Sequence, residues 1–147
     1  MRNTWILVAD GGRARLFACE PPGRTLSEVA CFANPDGRLP GRELVTERPP
    51  RVDESVGGAR HAIEPHTTLR EKSTERFART LSAALERGRL DRLYERLVLV
   101  APARFLGALH GCIGKPLLGR VVGEVRRNFT ALPTPEILER LPRRLLH

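Results

Sequence analysis

The N-terminal part of the chain alternates between apolar β-type runs and turn residues. Thr4 to Asp10 is short, apolar and rich in β-forming residues, and Arg13 to Cys19 alternates apolar with polar positions. The turn residues Asp10-Gly11-Gly12 lie between these runs and tolerate positive φ, so the pattern predicts a β-hairpin. A third strand is predicted over Leu26 to Phe32, with three apolar side chains on one face: Leu26, Ala30 and Phe32.

Residues 33–66 show no periodicity of either kind. Prolines and glycines recur through the segment and break regular structure, except for one predicted turn of helix near Arg42 to Thr46. A loop of this length inside a compact domain is usually functional or mobile. We therefore predict that residues 52–65 are mobile in the free protein and carry the partner contact.

The remainder of the chain alternates helical with strand patterns. Thr68 and Glu71 form a capping-box pattern ahead of a helix that Gly88 ends, and Leu97 to Ala101 has the pattern of a strand covered on both faces. The pattern then predicts a helix from Pro102 to Gly114, a strand from Arg120 to Arg127, and a last helix capped by Thr134 with Pro135 as its first residue.

The predicted element order is βββ-α-β-α-β-α, which gives an α/β (α+β) fold with one mixed sheet and helices packed on it. This is the order of a ribonuclease-H-like fold. No internal repeat or low-complexity tract interrupts the sequence, so we expect residues 1–147 to form a single domain.

Composition fits a globular protein: 41% of the residues are hydrophobic and 29% are charged. The apolar run at the N-terminus is too short for a secretory or membrane segment, so we expect a cytoplasmic protein without membrane contact. The three cysteines, Cys19, Cys31 and Cys112, contain no close pair and predict neither a disulfide framework nor a zinc site.

The net charge of +8 lies in the C-terminal half. Residues 67–147 carry 16 Arg and Lys against 8 Asp and Glu, which leaves +8, whereas residues 1–32 carry 4 against 3 and residues 33–66 carry 5 against 6. Such an excess favours anionic partners, of which RNA is the most general. The charge therefore makes RNA a candidate partner, and no recognition of a DNA sequence is expected.

Four stretches of the chain resemble those of the host-attachment protein family: Thr4 to Phe17, Asn34 to Leu39, Gly57 to Pro65 and Leu97 to Gly107. The resemblance covers nearly the whole chain. This family is itself similar to the central domain of archaeal and eukaryotic class I peptide-release factors and of the ribosome-rescue protein Pelota. The resemblance therefore implies a release-factor central-domain-like fold and a setting in translation.

In release factors a Gly-Gly-Gln loop reaches the peptidyl-transferase centre. The resemblance places Gly57-Gly58-Ala59-Arg60 at the matching position, and the methyl group of Ala59 cannot replace the hydrogen bonds of a glutamine amide. We therefore expect a non-enzymatic module without a cofactor. Its predicted binding residues are these four and a further five: His61, Arg13, Arg15, Arg76 and Arg79.

Two alternatives remain open from the residues alone. A metal-dependent nuclease or hydrolase would bind its metal through Asp10 or through the cluster of His61, Glu64 and His66, which are weak candidates for ligands. Asp10, beside two glycines, is better explained as a turn residue. A protein-interaction module would act through the loop at residues 33–66. A homo-oligomer formed through a sheet edge is compatible with either alternative.

Overall fold

A computed structural model shows a five-stranded sheet in the order β3-β2-β1-β4-β5. It describes residues 3–22, 25–36 and 56–146, with the backbone alone for residues 56–68. The strands are β1 (Thr4–Ala9), β2 (Arg13–Cys19), β3 (Ser27–Ala33), β4 (Arg96–Val100) and β5 (Val121–Val125). All five predicted strands are therefore present, with ends that differ from the predictions by at most two residues.

The sheet is mixed. β1 pairs antiparallel with β2, and β2 pairs antiparallel with β3, whereas β4 runs parallel to both β1 and β5. Because β1, β3, β4 and β5 all point the same way, their carboxyl ends lie at one edge of the sheet. We call this edge the carboxyl edge and the opposite one the amino edge.

The helices are α1 (Val56–Leu90), α2 (Ala103–His110), α3 (Lys115–Leu118) and α4 (Thr134–Arg140), followed by a 3-10 turn at Arg143–Leu145. The observed order follows the predicted βββ-α-β-α-β-α, with α3 and the 3-10 turn as short additions. Within the described ranges, no helix is both long enough and apolar enough to cross a membrane.

Each central strand contributes to two hydrophobic cores. Trp5, Leu7 and Ala9 of β1 lie in the core beneath α1 and α2, whereas Ile6 and Val8 lie in the core beneath α4. In β4, Leu97 and Leu99 face α1 and α2, and Val98 and Val100 face α4. Burial on both faces explains why these strands appear in the sequence as continuous apolar runs.

The long helix begins earlier than the sequence predicts. Its backbone is helical from Val56, so Thr68 is not an N-cap, and the prediction of an irregular segment up to residue 66 is wrong for residues 56–66. Gly and Pro lower helix propensity by about 1 and 3 kcal/mol, but propagation from an established helix is cooperative and can extend across them. The predicted helical turn near Arg42 to Thr46 lies outside the described residues.

Two smaller predictions are also corrected. The pairing of β2 with β3 shifts register between Leu16 and Phe17, so Leu26 packs on the α4 side whereas Ala30 and Phe32 pack on the α1 side. The last helix starts at Thr134, one residue earlier than predicted, with Pro133 in the capping position.

The C-terminal end of α1 is a Schellman motif rather than a stop at Gly88. The Leu93 N–H donates to the Gly88 carbonyl (2.9 Å) and the Arg92 N–H donates to the Arg89 carbonyl (3.0 Å). Arg92 takes the left-handed conformation, with φ of 59°. Gly88 is instead required by packing, because a Cβ atom there would lie 2.5 Å from Cζ3 of Trp5.

Candidate functional site at the carboxyl edge

The carboxyl edge is the place where an open α/β sheet usually binds its ligand. Binding crevices form outside the carboxyl ends of strands, where the chain departs in different directions from adjacent strands. Here β1 is that point, since its neighbours are the antiparallel β2 and the parallel β4. The residues that follow β1, β3, β4 and β5 therefore form the candidate site.

Asp10 organises the turn that follows β1. One carboxylate oxygen accepts hydrogen bonds from the N–H groups of Gly12 (2.8 Å) and Arg13 (2.9 Å). The other oxygen accepts from Nδ2 of Asn128 (3.0 Å) and is 3.2 Å from the hydroxyl of Thr130. Asp10 thus closes the turn, as its proximity to two glycines predicted, and it also links the turn to the loop after β5, which was not predicted.

The ionisation of Asp10 follows from these contacts. Partial burial raises its pKa, but the hydrogen bonds from Gly12, Asn128, Arg13 and Thr130 together outweigh burial and leave the pKa below the ordinary value. The carboxylate is consequently charged at neutral pH, in the form that accepts all of these donors.

Asn34 performs the corresponding role after β3. Its amide nitrogen donates to the Gly11 carbonyl (2.9 Å) and to the hydroxyl of Ser73 on α1 (3.1 Å). Two residues later, Asp36 accepts a 2.7 Å hydrogen bond from the Arg76 guanidinium. The stretch Asn34 to Asp36 therefore attaches α1 to the sheet edge.

These polar contacts assign roles that sequence reasoning missed. Asn34, Ser73, Asn128 and Thr130 were not among the predicted site residues. The available signal was the appearance of Asn or Thr immediately after a strand, where side chains commonly bond to nearby backbone. Which strand ends lie together, however, depends on the sheet order.

Of the five arginines predicted to contact phosphate, Arg60 has no described side chain, and the other four have different environments. Arg13 is exposed at the carboxyl edge and has no ion pair among the residues that the structure describes. Arg76 is paired with Asp36. Arg79 lines a groove of about 420 Å³ between α1 and the segment that joins α2 to α3.

Arg15 is largely buried, with 20% of its side chain exposed. Its guanidinium donates to the carbonyl of Leu132 (2.6 Å) and the hydroxyl of Thr134 (3.1 Å), pairs with Glu28 (3.4 Å) and lies over the ring of Phe17. These contacts fix the loop before α4 onto β2. Arg13 and Arg15 share one strand face, as predicted, but only Arg13 presents its charge to solvent.

Three further exposed arginines were not predicted individually. Arg104 follows β4, and Arg126 and Arg127 follow β5, which places all three at the carboxyl edge with Arg13. In the described part of the chain none of them has an ion pair or a hydrogen bond. The excess of basic residues in the C-terminal half was their only sequence signal.

Gly57, Gly58, Ala59, Arg60 and His61 lie in the first turns of α1. Their side chains, like those of Glu64 and His66, lie outside the described residues. Residues 69–72 are exposed and Ser73 is the first buried residue along the described helix. The backbone of residues 56–72 spans about 25 Å of helix ahead of Ser73, at 1.5 Å per residue.

Asp10 has a structural role in the described residues. Both of its oxygens are engaged in the turn and in the loop after β5. Among the residues with described side chains, no group of three or more His, Cys, Asp or Glu is placed to hold a metal ion.

The fold and the site define a mixed α/β protein with helices on both sheet faces and a polar, arginine-rich carboxyl edge. The family model described as "Protein required for attachment to host cells" matches residues 5–141, so the chain belongs to that family. A search of curated proteins found no match to the chain.

Proposed function

We propose that this protein is a non-enzymatic, release-factor-like module that contacts RNA or the ribosome through the carboxyl edge. The observation that carries the proposal is the set of exposed arginines there, Arg13, Arg104, Arg126 and Arg127, without partners in the described ranges. Arginine is well suited to phosphate because its planar guanidinium presents several donors and stays charged. The setting would be the cytoplasm.

The sheet supports the finer fold assignment. Three antiparallel strands followed by two parallel ones, in the order β3-β2-β1-β4-β5, fit a ribonuclease-H-like or release-factor central-domain-like architecture. In this proposal α1 carries Gly57-Gly58-Ala59-Arg60 beyond the same edge that bears the arginines. The two features would then contact one RNA surface.

The expected contact is with the phosphate backbone rather than with bases. Trp5, Phe17, Phe77 and Phe105 are buried and offer no face on which bases could stack, and Phe32 is partly buried against the core. Backbone contacts position a protein on a nucleic acid but carry no sequence information. Binding should therefore depend strongly on salt and weakly on sequence.

The test compares the exposed arginines of the carboxyl edge with arginines elsewhere that pair with carboxylates. Ribosome co-sedimentation and fluorescence anisotropy with a labelled single-stranded RNA are measured across a salt series for Arg126→Ala/Arg127→Ala. The matched control is Arg87→Ala/Arg89→Ala, since these two arginines pair with Asp91 and Glu86 near the C-terminal end of α1. The first variant should reduce the slope of log K against log salt by about 0.7 for each phosphate of the single strand that it no longer neutralises.

Wild-type protein that binds neither ribosomes nor RNA at low salt would refute the proposal. Equal weakening of binding in both double variants would show only a general charge effect and would remove the carboxyl edge as the contact surface. Magnesium- or manganese-dependent cleavage of the RNA during these measurements would instead support the nuclease alternative.

A further inference from the structure

The amino edge carries a surface of a different chemical kind. Four of the exposed large hydrophobic side chains in the described structure lie around this edge: Leu90 at 61% exposure, Leu93 at 49%, Leu118 at 45% and Val122 at 41%. Two exposed arginines lie between these positions in the sequence, Arg92 between the first two and Arg120 between the last two. We call these six residues the amino-edge surface.

Strand pairing brings the parts of this surface together. The Arg120 carbonyl accepts a 2.8 Å hydrogen bond from the Leu97 N–H at the start of β4, and Arg96 donates its N–H to the carbonyl of Asn3 before β1. Because neighbouring strands are about 4.8 Å apart, the amino ends of β1 and β5 are separated by about 10 Å. The turn that holds Leu90 and Leu93 leads directly into β4.

The exposure of Leu93 has a local cause. In a Schellman motif the residue after the left-handed position usually packs against the residue that accepts its N–H hydrogen bond. That acceptor is Gly88, which has no side chain, and the space beside it is filled by the rings of Trp5 and Tyr94. Leu93 therefore lacks the apolar side chain that the accepting position of a Schellman motif usually provides.

The electrostatics of this edge are positive. Arg96 lies beside the amino-edge surface and donates through its guanidinium to the carbonyl of Arg144 (3.3 Å), which adds Arg143 and Arg144 to the same end of the molecule. Two acids lie in the same region, Asp91, which pairs with Arg87, and the exposed Glu95, and the arginines outnumber them. A partner that covers the leucines must therefore present negative charge around its apolar residues.

We propose that the amino-edge surface docks an acidic segment of a partner protein that contributes aliphatic side chains to the contact. An apolar centre with a polar rim, and enrichment in arginine, are typical of protein–protein interfaces. RNA would gain little from the leucines, which neither stack on bases nor bond to phosphate. The two edges of the sheet would thus serve different partners, and this proposal is independent of RNA binding at the carboxyl edge.

The test uses a fluorescein-labelled helical peptide built from Glu and Leu, with a Glu and Ser peptide for comparison. Leu93→Ser and Arg120→Glu should each weaken binding of the Glu and Leu peptide by about tenfold, which corresponds to about 1.4 kcal/mol. Leu69→Ser is the matched apolar control, because Leu69 is also 49% exposed but lies in α1 about 30 Å along the helix axis from Leu90. Arg104→Glu is the charge control at the carboxyl edge.

Absence of peptide binding, equal binding of the Ser peptide, or equal weakening in the controls would overturn the proposal. Poly(U) RNA and vesicles of phosphatidylserine and phosphatidylcholine are titrated in parallel. If Leu93→Ser weakens binding to either of these as much as to the peptide, the surface is not a protein-docking site. Loss of poly(U) binding in Arg126→Ala/Arg127→Ala alone would support RNA contact at the carboxyl edge, separately from peptide docking at the amino edge.

Discussion

Arg15 shows how one side chain can hold two parts of a fold together. It lies in β2, yet its guanidinium reaches the carbonyls of Thr130 and Leu132 in the loop before α4. Those carbonyls would otherwise need solvent or another donor, because buried polar groups without partners are costly. The residue is therefore structural, although its type and position in the sequence resemble those of a phosphate-binding arginine.

We expect Arg15→Ala to destabilise the protein by about 2 kcal/mol, as the loss of several hydrogen bonds from a charged, part-buried group does. RNA binding by the folded variant should be unchanged. Arg13→Ala, on the same strand face but exposed, should give the opposite pattern, with stability changed by less than about 0.5 kcal/mol and weaker RNA binding. Urea denaturation and anisotropy separate the two effects, and loss of RNA binding by folded Arg15→Ala would contradict the assignment.

Gly88 permits the close approach of α1 to an aromatic pair. Trp5 and Tyr94 stack with centroids 4.6 Å apart, and the Tyr94 hydroxyl donates to the Leu85 carbonyl (2.7 Å). A methyl group at position 88 would lie 2.5 Å and 2.6 Å from two atoms of the Trp5 ring. The ring is buried between the helix and the sheet and has little freedom to move aside.

We expect Gly88→Ala to destabilise the protein, because overpacking of about 1–3 kcal/mol exceeds the gain of about 1 kcal/mol in helix propensity. Gly107→Ala is the matched control, since Gly107 is also helical but a Cβ atom there meets nothing within 4 Å. That substitution should stabilise by up to about 1 kcal/mol. Guanidinium denaturation followed by the single tryptophan measures both, and a stabilised Gly88→Ala would refute the packing argument.

At the scale of elements, the end of α1 determines how the chain enters β4. The Schellman hydrogen bonds place Arg92 at the left-handed position that glycine usually occupies. A residue with a Cβ atom is strained there, whereas glycine adopts this conformation readily.

We therefore expect Arg92→Gly to stabilise the protein by about 1 kcal/mol, since relief of left-handed strain outweighs the greater flexibility of the unfolded chain. The control is Arg87→Gly within the helix, which should destabilise by about 1 kcal/mol because glycine is a poor helix former. Thermal unfolding of both variants provides the measurement. Destabilisation by Arg92→Gly would show that the arginine makes a compensating contact.

At the scale of the whole molecule, Asp10 joins parts of the chain that are far apart in sequence. Its carboxylate links the first turn of the sheet to Asn128 and Thr130 at the other end of the chain. Protonation removes the negative charge that attracts these donors. The folded state lowers the pKa of Asp10 relative to the unfolded chain, so folding is favoured when the carboxylate is ionised.

Asp10 thereby makes the stability of the protein depend on pH. Its contribution to stability is fully present above its unfolded pKa near 3.8 and is lost as pH falls through the lower pKa of the folded state. We expect Asp10→Asn to be less stable at pH 7 and to lose less stability on acidification than wild type. Asp91→Asn, which removes an exposed partner of Arg87, is the control, and identical acid profiles for wild type and Asp10→Asn would contradict this role.

Local patterns predicted the elements well where the apolar period was clear. β2 has the predicted ends at Arg13 and Cys19, and a helix follows Pro102 as predicted, with Phe105, Leu106 and Leu109 buried. The pattern failed at the start of α1, where glycine and proline suggested a break that the backbone does not make. Propensity is a weak local term, and cooperative helix formation overrides it.

The candidate site was less predictable than the fold, and Arg13 and Arg15 show why. The sequence by itself determined the mixed α/β class, the turn role of Asp10 and the location of the positive charge in the C-terminal half. Only the tertiary structure decided that Arg15 is part-buried and joins β2 to the loop before α4. It also decided that Asn34 and Asn128 lie at one edge, and that leucines and arginines share the opposite edge. The physical reason is range: apolar periodicity and turn chemistry act between near neighbours in the chain, whereas ion pairing and exposure depend on which strand ends the sheet order brings together.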